Sequence, residues 1–527
     1  MNAARALETL RAHPRHIVLG ALVAGMLAIE LPASAVLLLA LAAAALAGRA
    51  LVAVLAVTAV LAGALGGQLR LDALDRTVLP PLFGAIVTAD VTLLEQPRPV
   101  QYGSTALASL RALAPTAARV GAGASGASRG AAAAASEVGA TGARTATWRR
   151  DAGAGERVML RIRQATVWPH AATGAVVRVR GKLRMLGPFE QHYARKGAHG
   201  AITVDAAAPT GARRGGPAGI VDAIRGRAEE TLAQGLAPPQ AALLRGMVLG
   251  QDEALSERTR DEFRISGLAH LLAASGQNVA LLLALALPLL TAAGLGLRPR
   301  LAAALALIAL YVPLAGAGPS IQRAGVMGAA TTVAALAGRA ASRWYALLLA
   351  AAATLAHNPR ASGDPGWQLS FAAVVAIALA TPAVSARLRC RGLPAPMADA
   401  VAMSFAATLG TAPLLAFHFE QFSLVSLPAN LLAAPAVAPI MWLGMLAAAL
   451  GQLAAPLALP LNTVNACLLG YVGAVAHEAA SLRHASVRVA LGGPLALAAL
   501  YAATALLVAL LRRRAPPPQG PALGRPR

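Results

Sequence analysis

The sequence predicts a polytopic α-helical membrane protein of about twelve spans with an inserted, extracytoplasmic small β-barrel of the OB-like type. Hydrophobic residues make up 57% of the chain and charged residues only 13%, unlike the composition of a soluble enzyme. Long apolar stretches fill residues 17–66 and 267–511. Most acidic residues and both lysines lie between them, in 67–266, which we therefore expect to be soluble.

The net charge of +23 comes almost entirely from arginine, so the positions of the arginines are more informative than their total. Cys390 and Cys467 are the only cysteines, and the soluble region has none. The sequence therefore offers no disulfide framework and no cysteine-based metal site. We expect no cofactor.

Residues 1–66 are predicted to be an uncleaved N-terminal anchor. Three closely connected crossings are expected, near 17–31, 34–48 and 50–66. Arginines precede the first crossing, and Arg49 follows the second. By the positive-inside rule this places the N-terminus in the cytoplasm and the segment after Gln68 on the outer face.

Residues 67–210 are predicted to form the β-barrel. Apolar and polar residues alternate in "IVTADVTL", as in a strand with one buried face, and strand signals resume in "RVMLRIRQATV", "GAVVRVRGKLRML" and "GAITVD". Short strands of this kind are typical of OB-like barrels, which bind single strands through basic faces. Residues 103–155 lack sustained periodicity and are rich in Ala, Gly and Ser, so we expect a flexible insertion there.

Basic side chains alternate with apolar ones in two of these strands and make a candidate DNA-contact face. Its members are Arg161, Arg163, Arg178, Arg180, Lys182 and Arg184. The alternative, that they solvate an exposed sheet face, stays open.

Residues 211–266 are predicted to form amphipathic helices, and 267–511 a transmembrane domain of nine further crossings. These are expected near 268–294, 301–317, 323–338, 344–357, 367–384, 398–418, 428–450, 457–477 and 489–511. With this parity the loops on the inner side carry most of the arginines. The basic, Pro-rich tail 512–527 and the C-terminus are then cytoplasmic.

Polar residues interrupt several of these apolar segments. On a continuous helix from 268, His270 and Gln277 share one face, which Ser275 and Asn278 extend. Unpaired polar groups in hydrocarbon cost several kcal/mol each, so this face should meet other helices or a water-filled cavity. Similar interruptions recur at Ser320, Gln322, Arg323, Gln368, Ser370 and Asn430. All ten residues are candidates for lining a polar passage; the alternative for each is ordinary helix–helix hydrogen bonding.

Four motifs in this order resemble the ComEC family of DNA-uptake channel proteins. They read "GLAHLLAASG" at 267–276, "RAGVM" at 323–327, "QLSF" at 368–371 and "NLLAAP" at 430–435. Upstream, "PFEQHYARKG" resembles the end of the family's N-terminal barrel. The resemblance covers roughly 220–450 strongly and 20–210 weakly.

The resemblance implies import of single-stranded DNA across the bacterial cytoplasmic membrane during natural transformation. Two departures stand out. Gln277 and Asn278 stand where many members have Leu-His, so no role of a second histidine is carried over. The metallo-β-lactamase-like domain of many members, with its His-x-His-x-Asp-His cluster, is not found in this sequence, so no enzymatic activity is expected.

The sequence also lacks a P-loop, because neither lysine stands in a Gly-Lys-Ser/Thr motif. We therefore expect the partners to include a cytoplasmic ATPase motor and single-strand-binding proteins, together with a separate DNA receptor. Homo-oligomerisation stays open. Two further hypotheses remain: an intramembrane hydrolase of lipid or envelope substrates that uses Ser275 or His270, and a degenerate relative that does not transport.

Overall fold

The computed structural model describes residues 8–100, 103–115, 154–169, 171–272, 274–340 and 342–513. The chain divides into two compact units. One unit comprises Gly66–Glu230, and the other comprises Met1–Leu65 with Thr231–Arg527. The first holds the β-structure, and the second is almost entirely helical.

A closed five-stranded barrel forms the centre of the Gly66–Glu230 unit. The sheet of this unit has six strands: β1 Ile86–Leu93, β2 Arg98–Val100, β3 Gly103–Pro115, β4 Arg157–Ile162, β5 Ala175–Arg184 and β6 Ala198–Arg213. Five of them pair in the order β1-β5-β6-β4-β3, and the pairing of β3 with β1 closes the ring. The β4–β6 pair is parallel, the others are antiparallel, and β2 adds to the edge of β3.

The predicted alternation of β1 is confirmed, because its apolar residues Val87, Ala89, Val91 and Leu93 are fully buried in the barrel core. The predicted flexible insertion is wrong for its first part. Residues Gly103–Pro115 form β3, the longest strand after β6, and pair with β1 and β4. Alanine is depleted in strands, but burial between two neighbouring strands overrides this preference. The rest of the proposed insertion, 116–153, lies outside the described residues.

Helices account for most of the other unit, and two more, Gln191–Arg195 and nearly all of Gly216–Thr231, lie in the Gly66–Glu230 unit. In chain order the helices are α1 Pro14–Leu27, α2 Ala33–Ala47, α3 Ala50–Asp75, α4 Gln191–Arg195, α5 Gly216–Thr231, α6 Pro238–Leu249, α7 Glu257–Ile265, α8 Gly276–Ala292, α9 Leu297–Leu314, α10 Pro319–Leu336, α11 Arg343–His357, α12 Pro365–Cys390, α13 Ala395–Phe419, α14 Ser426–Leu450, α15 Leu459–Ser481 and α16 Pro494–Arg513. Two short strands, β7 Gln421–Ser423 and β8 Ser486–Arg488, pair after α13 and before α16.

Each stretch predicted to cross the membrane contains a helix, but the predicted count of about twelve spans is not confirmed. Among the described residues, seven helices are long and apolar enough to cross a membrane: α3, α9, α12, α13, α14, α15 and α16. Three shorter apolar helices, α1, α2 and α8, join them. The N-terminal anchor packs on the later helices, since Val23 of α1 is buried with Leu355 of α11 and Trp367 of α12.

Candidate polar site at three helix starts

Three helices of the membrane unit begin next to one another. The guanidinium of Arg323, in the second turn of α10, donates a hydrogen bond to the backbone carbonyl of Ser370 in α12. It also fills the space beside Gly276, the first residue of α8: a Cβ on Gly276 would lie 2.5 Å from Nη2 of Arg323. A side chain at this position would make the guanidinium shift. The N-terminal turns of α8, α10 and α12 therefore meet around Arg323.

Arg323 brings an unbalanced positive charge to this point. Its side chain is only 6% exposed, and Nε is buried without a hydrogen-bond partner. Within the described residues no carboxylate pairs with it; its other neighbour is the ring of Phe371, 5.8 Å from the guanidinium. The N-terminal ends of helices carry partial positive charge, so the surrounding backbone does not neutralise the arginine. The arrangement is suited to attract an anion.

Two of the predicted residues strengthen the junction between α10 and α12. The hydroxyls of Ser320 and Ser370 are 2.9 Å apart. Gln322 instead turns back and donates to the carbonyl of Ala317 at 2.6 Å. Ala317 has a left-handed backbone (φ 49°), so this bond stabilises the turn that leads into α10.

Gln368 connects α12 to α13. Its amide nitrogen donates to the carbonyl of Ser362 at 2.8 Å, and its Oε1 lies 2.7 Å from Nε2 of His418. The sequence pattern did not indicate His418 as a partner of Gln368. One signal could have indicated this contact. His418 ends the apolar run that follows the run beginning at the QLSF motif, so two antiparallel helices would bring His418 close to Gln368.

Asn278 is a structural residue. It is 6% exposed, and its amide donates to the carbonyl of Met247 at 2.8 Å, while the hydroxyl of Tyr311 donates to the carbonyl of Val248 at 2.7 Å. These carbonyls belong to the last turn of α6, which has no intrahelical donors for them. Ser275 donates to Oδ1 of Asn278 at 3.1 Å. Asn278 thus follows the helix–helix alternative, whereas Ser275 bonds within the start of its own helix. The sequence did not point to Tyr311 as a partner of Asn278.

The predicted continuous helix, which would put His270 and Gln277 on one face, is wrong. The segment is not a continuous helix, because α8 begins only at Gly276 and His270 lies on a separate short turn, Ala269–Leu271. The structure places His270 and Gln277 at exposed positions. His270 makes its hydrogen bond within its own turn, at 3.3 Å from the carbonyl of Gly267. Among the described residues, no hydrogen bond joins His270 to Ser275.

The start of α14 lies beside this turn. Gly267 has a positive φ of 79°, and a Cβ there would come within 2.4 Å of the side chain of Ser426. Asn430, one turn further along α14, is partly exposed and makes no hydrogen bond to any residue that the structure describes. His270, Gln277 and Asn430 are thus the predicted lining residues whose polar groups are left without partners on other helices.

The predicted basic face of the barrel is half neutralised. Arg178 forms a bidentate ion pair with Asp90, and Arg184 forms one with Glu190; Arg163 lies 3.3 Å from Asp205. Hydrogen bonding by Arg184 lowers the pKa of Glu190 below its ordinary value.

Three cations of this face remain: Arg161, Arg180 and Lys182. Arg161 on β4 and Lys182 on β5 are both paired in register with Thr203 on β6, so their side chains leave the same face of the sheet. Phe189, in the turn that supplies Glu190, is 98% exposed. Phe189 is thus the chain neighbour of Glu190, whose carboxylate meets the basic face at Arg184.

No group of three or more His, Cys, Asp or Glu side chains suited to a metal ion occurs in the part of the chain that the structure describes.

Comparison with known proteins identifies the family of this chain. A family model described as "Competence protein" matches residues 247–514, slightly more than half of the chain. The chain belongs to the competence protein family. The matched region of this competence protein contains the whole site around Gly276, Arg323 and Ser370. No solved structure matches the chain.

A curated relative is the ComE operon protein 3 of Bacillus subtilis (strain 168). The two are 28% identical over 200 residues, which is 38% of this chain. The aligned region spans a quarter of that relative's length. The similarity to this relative agrees with the family match.

Proposed function

We propose that this protein is the membrane channel through which single-stranded DNA enters the cell during natural transformation. The observation that carries the proposal is the buried guanidinium of Arg323 at three helix starts, without a carboxylate partner among the described residues. Its one hydrogen bond goes to a neutral backbone carbonyl, which a neutral donor could also make. We therefore infer that the charge itself serves an anionic ligand.

The charge suits a passing phosphodiester. A phosphate about 4 Å from the guanidinium gains about 4 kcal/mol at an effective dielectric constant of about 20. Every nucleotide carries the same phosphate, so the contact is independent of sequence, as transport of arbitrary DNA requires. His270, Gln277 and Asn430, whose polar groups are free of other helices, extend the polar path.

The barrel is proposed to be an OB-like domain outside the cytoplasm that receives the strand. Arg161, Arg180 and Lys182 would contact phosphates, and Phe189 would stack on a base. Basic grooves with exposed aromatic side chains bind single strands in this way without reading their sequence.

Import needs an external source of energy. Each negative charge that moves inward against the membrane potential costs about 2.3 kcal/mol per 100 mV, and we propose no catalytic activity for this chain. A cytoplasmic ATPase motor and single-strand-binding proteins would pull the strand, and a separate DNA receptor would deliver it. The protein would lie in the bacterial inner membrane with both termini in the cytoplasm.

Removal of the charge tests the proposal. In cells that depend on this protein, Arg323→Gln should reduce the uptake of labelled DNA at least tenfold, while Arg323→Lys should keep part of it. Arg339→Gln, at an exposed position outside the site, is the matched control for the loss of one arginine. All three proteins must reach the membrane in equal amounts. Normal uptake by Arg323→Gln would remove the basis for the proposal.

A further inference from the structure

A second basic site lies in the membrane unit, lined by residues of α12, α13, α16 and the start of α14. A cleft of about 520 Å³ opens where the C-terminal ends of α12 and α16 meet α13. Eight apolar side chains line it, among them Phe405 and Leu510, together with two arginines, Arg387 and Arg391. An apolar cleft with cations at its edge matches a molecule that has an acyl chain and an anionic headgroup.

The two arginines are not neutralised by the protein. The nearby carboxylate, Asp399, is already held by Arg389 and by the hydroxyl of Ser385. Nη1 of Arg387 is buried without a hydrogen-bond partner, and neither Arg387 nor Arg391 forms an ion pair with any residue in the described ranges. A buried N–H without a partner is costly, so this cleft is incomplete without an acceptor from outside.

The position of the cleft favours a lipid over DNA. Helix α16 forms one wall, and none of the residues in its most apolar window is buried within the protein. It therefore lies at the periphery of the bundle, where acyl chains have access, and not on a central path. The chain's own tail is a poor occupant, because residues 514–527 contain three arginines and no acidic residue.

We propose that this cleft binds one anionic phospholipid, with its phosphate between Arg387 and Arg391 and one acyl chain along α16. Basic pockets between membrane helices bind the headgroups of anionic lipids in this manner. The proposal does not depend on transport of DNA. It requires only that the unit lies in a bilayer and that its lipid neighbours include phosphatidylglycerol or cardiolipin.

Native mass spectrometry of the full, delipidated protein in detergent tests the proposal. Titration with phosphatidylglycerol should load one tightly held lipid, and phosphatidylcholine should load none at the same concentration. The double variant Arg387→Gln, Arg391→Gln should bind phosphatidylglycerol about thirtyfold more weakly, since each cation near an anionic headgroup contributes a factor of about five. Leu510→Trp, which fills the cleft and keeps its charge, should also weaken binding.

The matched control is Arg298→Gln, Arg339→Gln, which removes two exposed arginines from loops predicted on the same side. It should bind phosphatidylglycerol within twofold of the parent. Equal binding by the parent and the Arg387, Arg391 variant would overturn the proposal. So would a titration with single-stranded oligonucleotide in which that variant loses DNA binding but keeps the lipid. A chain shortened after Arg513 that binds the lipid tenfold more tightly would assign the cleft to the tail instead.

Discussion

The close approach of Arg323 to Gly276 makes Gly276→Ala the most informative single change. The added Cβ would lie 2.5 Å from Nη2 of Arg323, whereas ordinary contacts begin near 3.4 Å, so the guanidinium must retreat by 3.4 − 2.5, or about 0.9 Å. A shift of that size would lengthen and weaken the hydrogen bond that Nη1 donates to the carbonyl of Ser370. A hydrogen bond from a charged group is worth about 1.5–3 kcal/mol, and the better helix propensity of alanine offsets up to about 1 kcal/mol.

We therefore expect Gly276→Ala to lower the free energy of unfolding by about 1–2 kcal/mol and to leave the protein folded in the membrane. If Arg323 must stay in place to meet the strand, DNA uptake should fall about tenfold, since 1.4 kcal/mol corresponds to a factor of ten. Uptake of fluorescent DNA into cells gives the functional measurement, and thermal unfolding in detergent gives the stability.

Gly473→Ala on α15 is the matched control, because a Cβ there meets nothing within 4 Å. The decisive comparison is a double-mutant cycle. In an Arg323→Gln background, Gly276→Ala should cause no further loss of uptake, since its effect acts through the guanidinium. Additive losses from the two changes, or full uptake by Gly276→Ala alone, would refute the link between these residues.

Three further predictions concern other parts of the chain. Asn278→Ala leaves the carbonyl of Met247 without its donor and should lower stability by about 1–3 kcal/mol, read from the unfolding temperature in detergent; an unchanged temperature would show that Asn278 is dispensable. The pKa of Glu190 is lowered in the folded barrel, so its ionised form stabilises the fold above the ordinary glutamate pKa of 4.5, and that contribution disappears as the pH falls through the lower folded value. Glu190→Gln should therefore be less stable than the parent near neutrality and equal to it in acid, and a constant difference in denaturant midpoint across this range would contradict the pairing. Phe189→Ala should weaken binding of an oligothymidylate by about 1–3 kcal/mol in fluorescence anisotropy, whereas Val167→Ala, also at an exposed apolar side chain, should leave it unchanged.

Much of the local structure follows from short-range patterns in the sequence. Apolar runs of sufficient length predicted where helices occur, and the alternation around Val91 and Val177 predicted barrel strands with buried inner faces. By contrast, β3 was missed because its alanines and serines carry no strand signal. Its pairing with β1 and β4 depends on residues far away in the chain.

The candidate site also combines features that are visible in the sequence with contacts that only folding creates. Each polar residue within an apolar segment stood out by itself, because hydrocarbon makes such a residue expensive. Which of them satisfy one another depends on which helices pack together. Asn278 meets the end of α6, and Gln368 meets His418, and these contacts join residues 31 and 50 positions apart.

The sequence by itself determined a membrane-embedded helical protein with a β-domain, and it identified the polar residues that need an explanation. Only the tertiary structure decided that Arg323 is buried at the starts of three helices without a counter-charge among the described residues. It also decided that the amide of Asn278 is satisfied by hydrogen bonds at a helix junction. The physical reason is that hydrophobicity and periodicity act over a few residues. The balance of a buried charge, however, is set by every group that folding brings within a few ångströms of it.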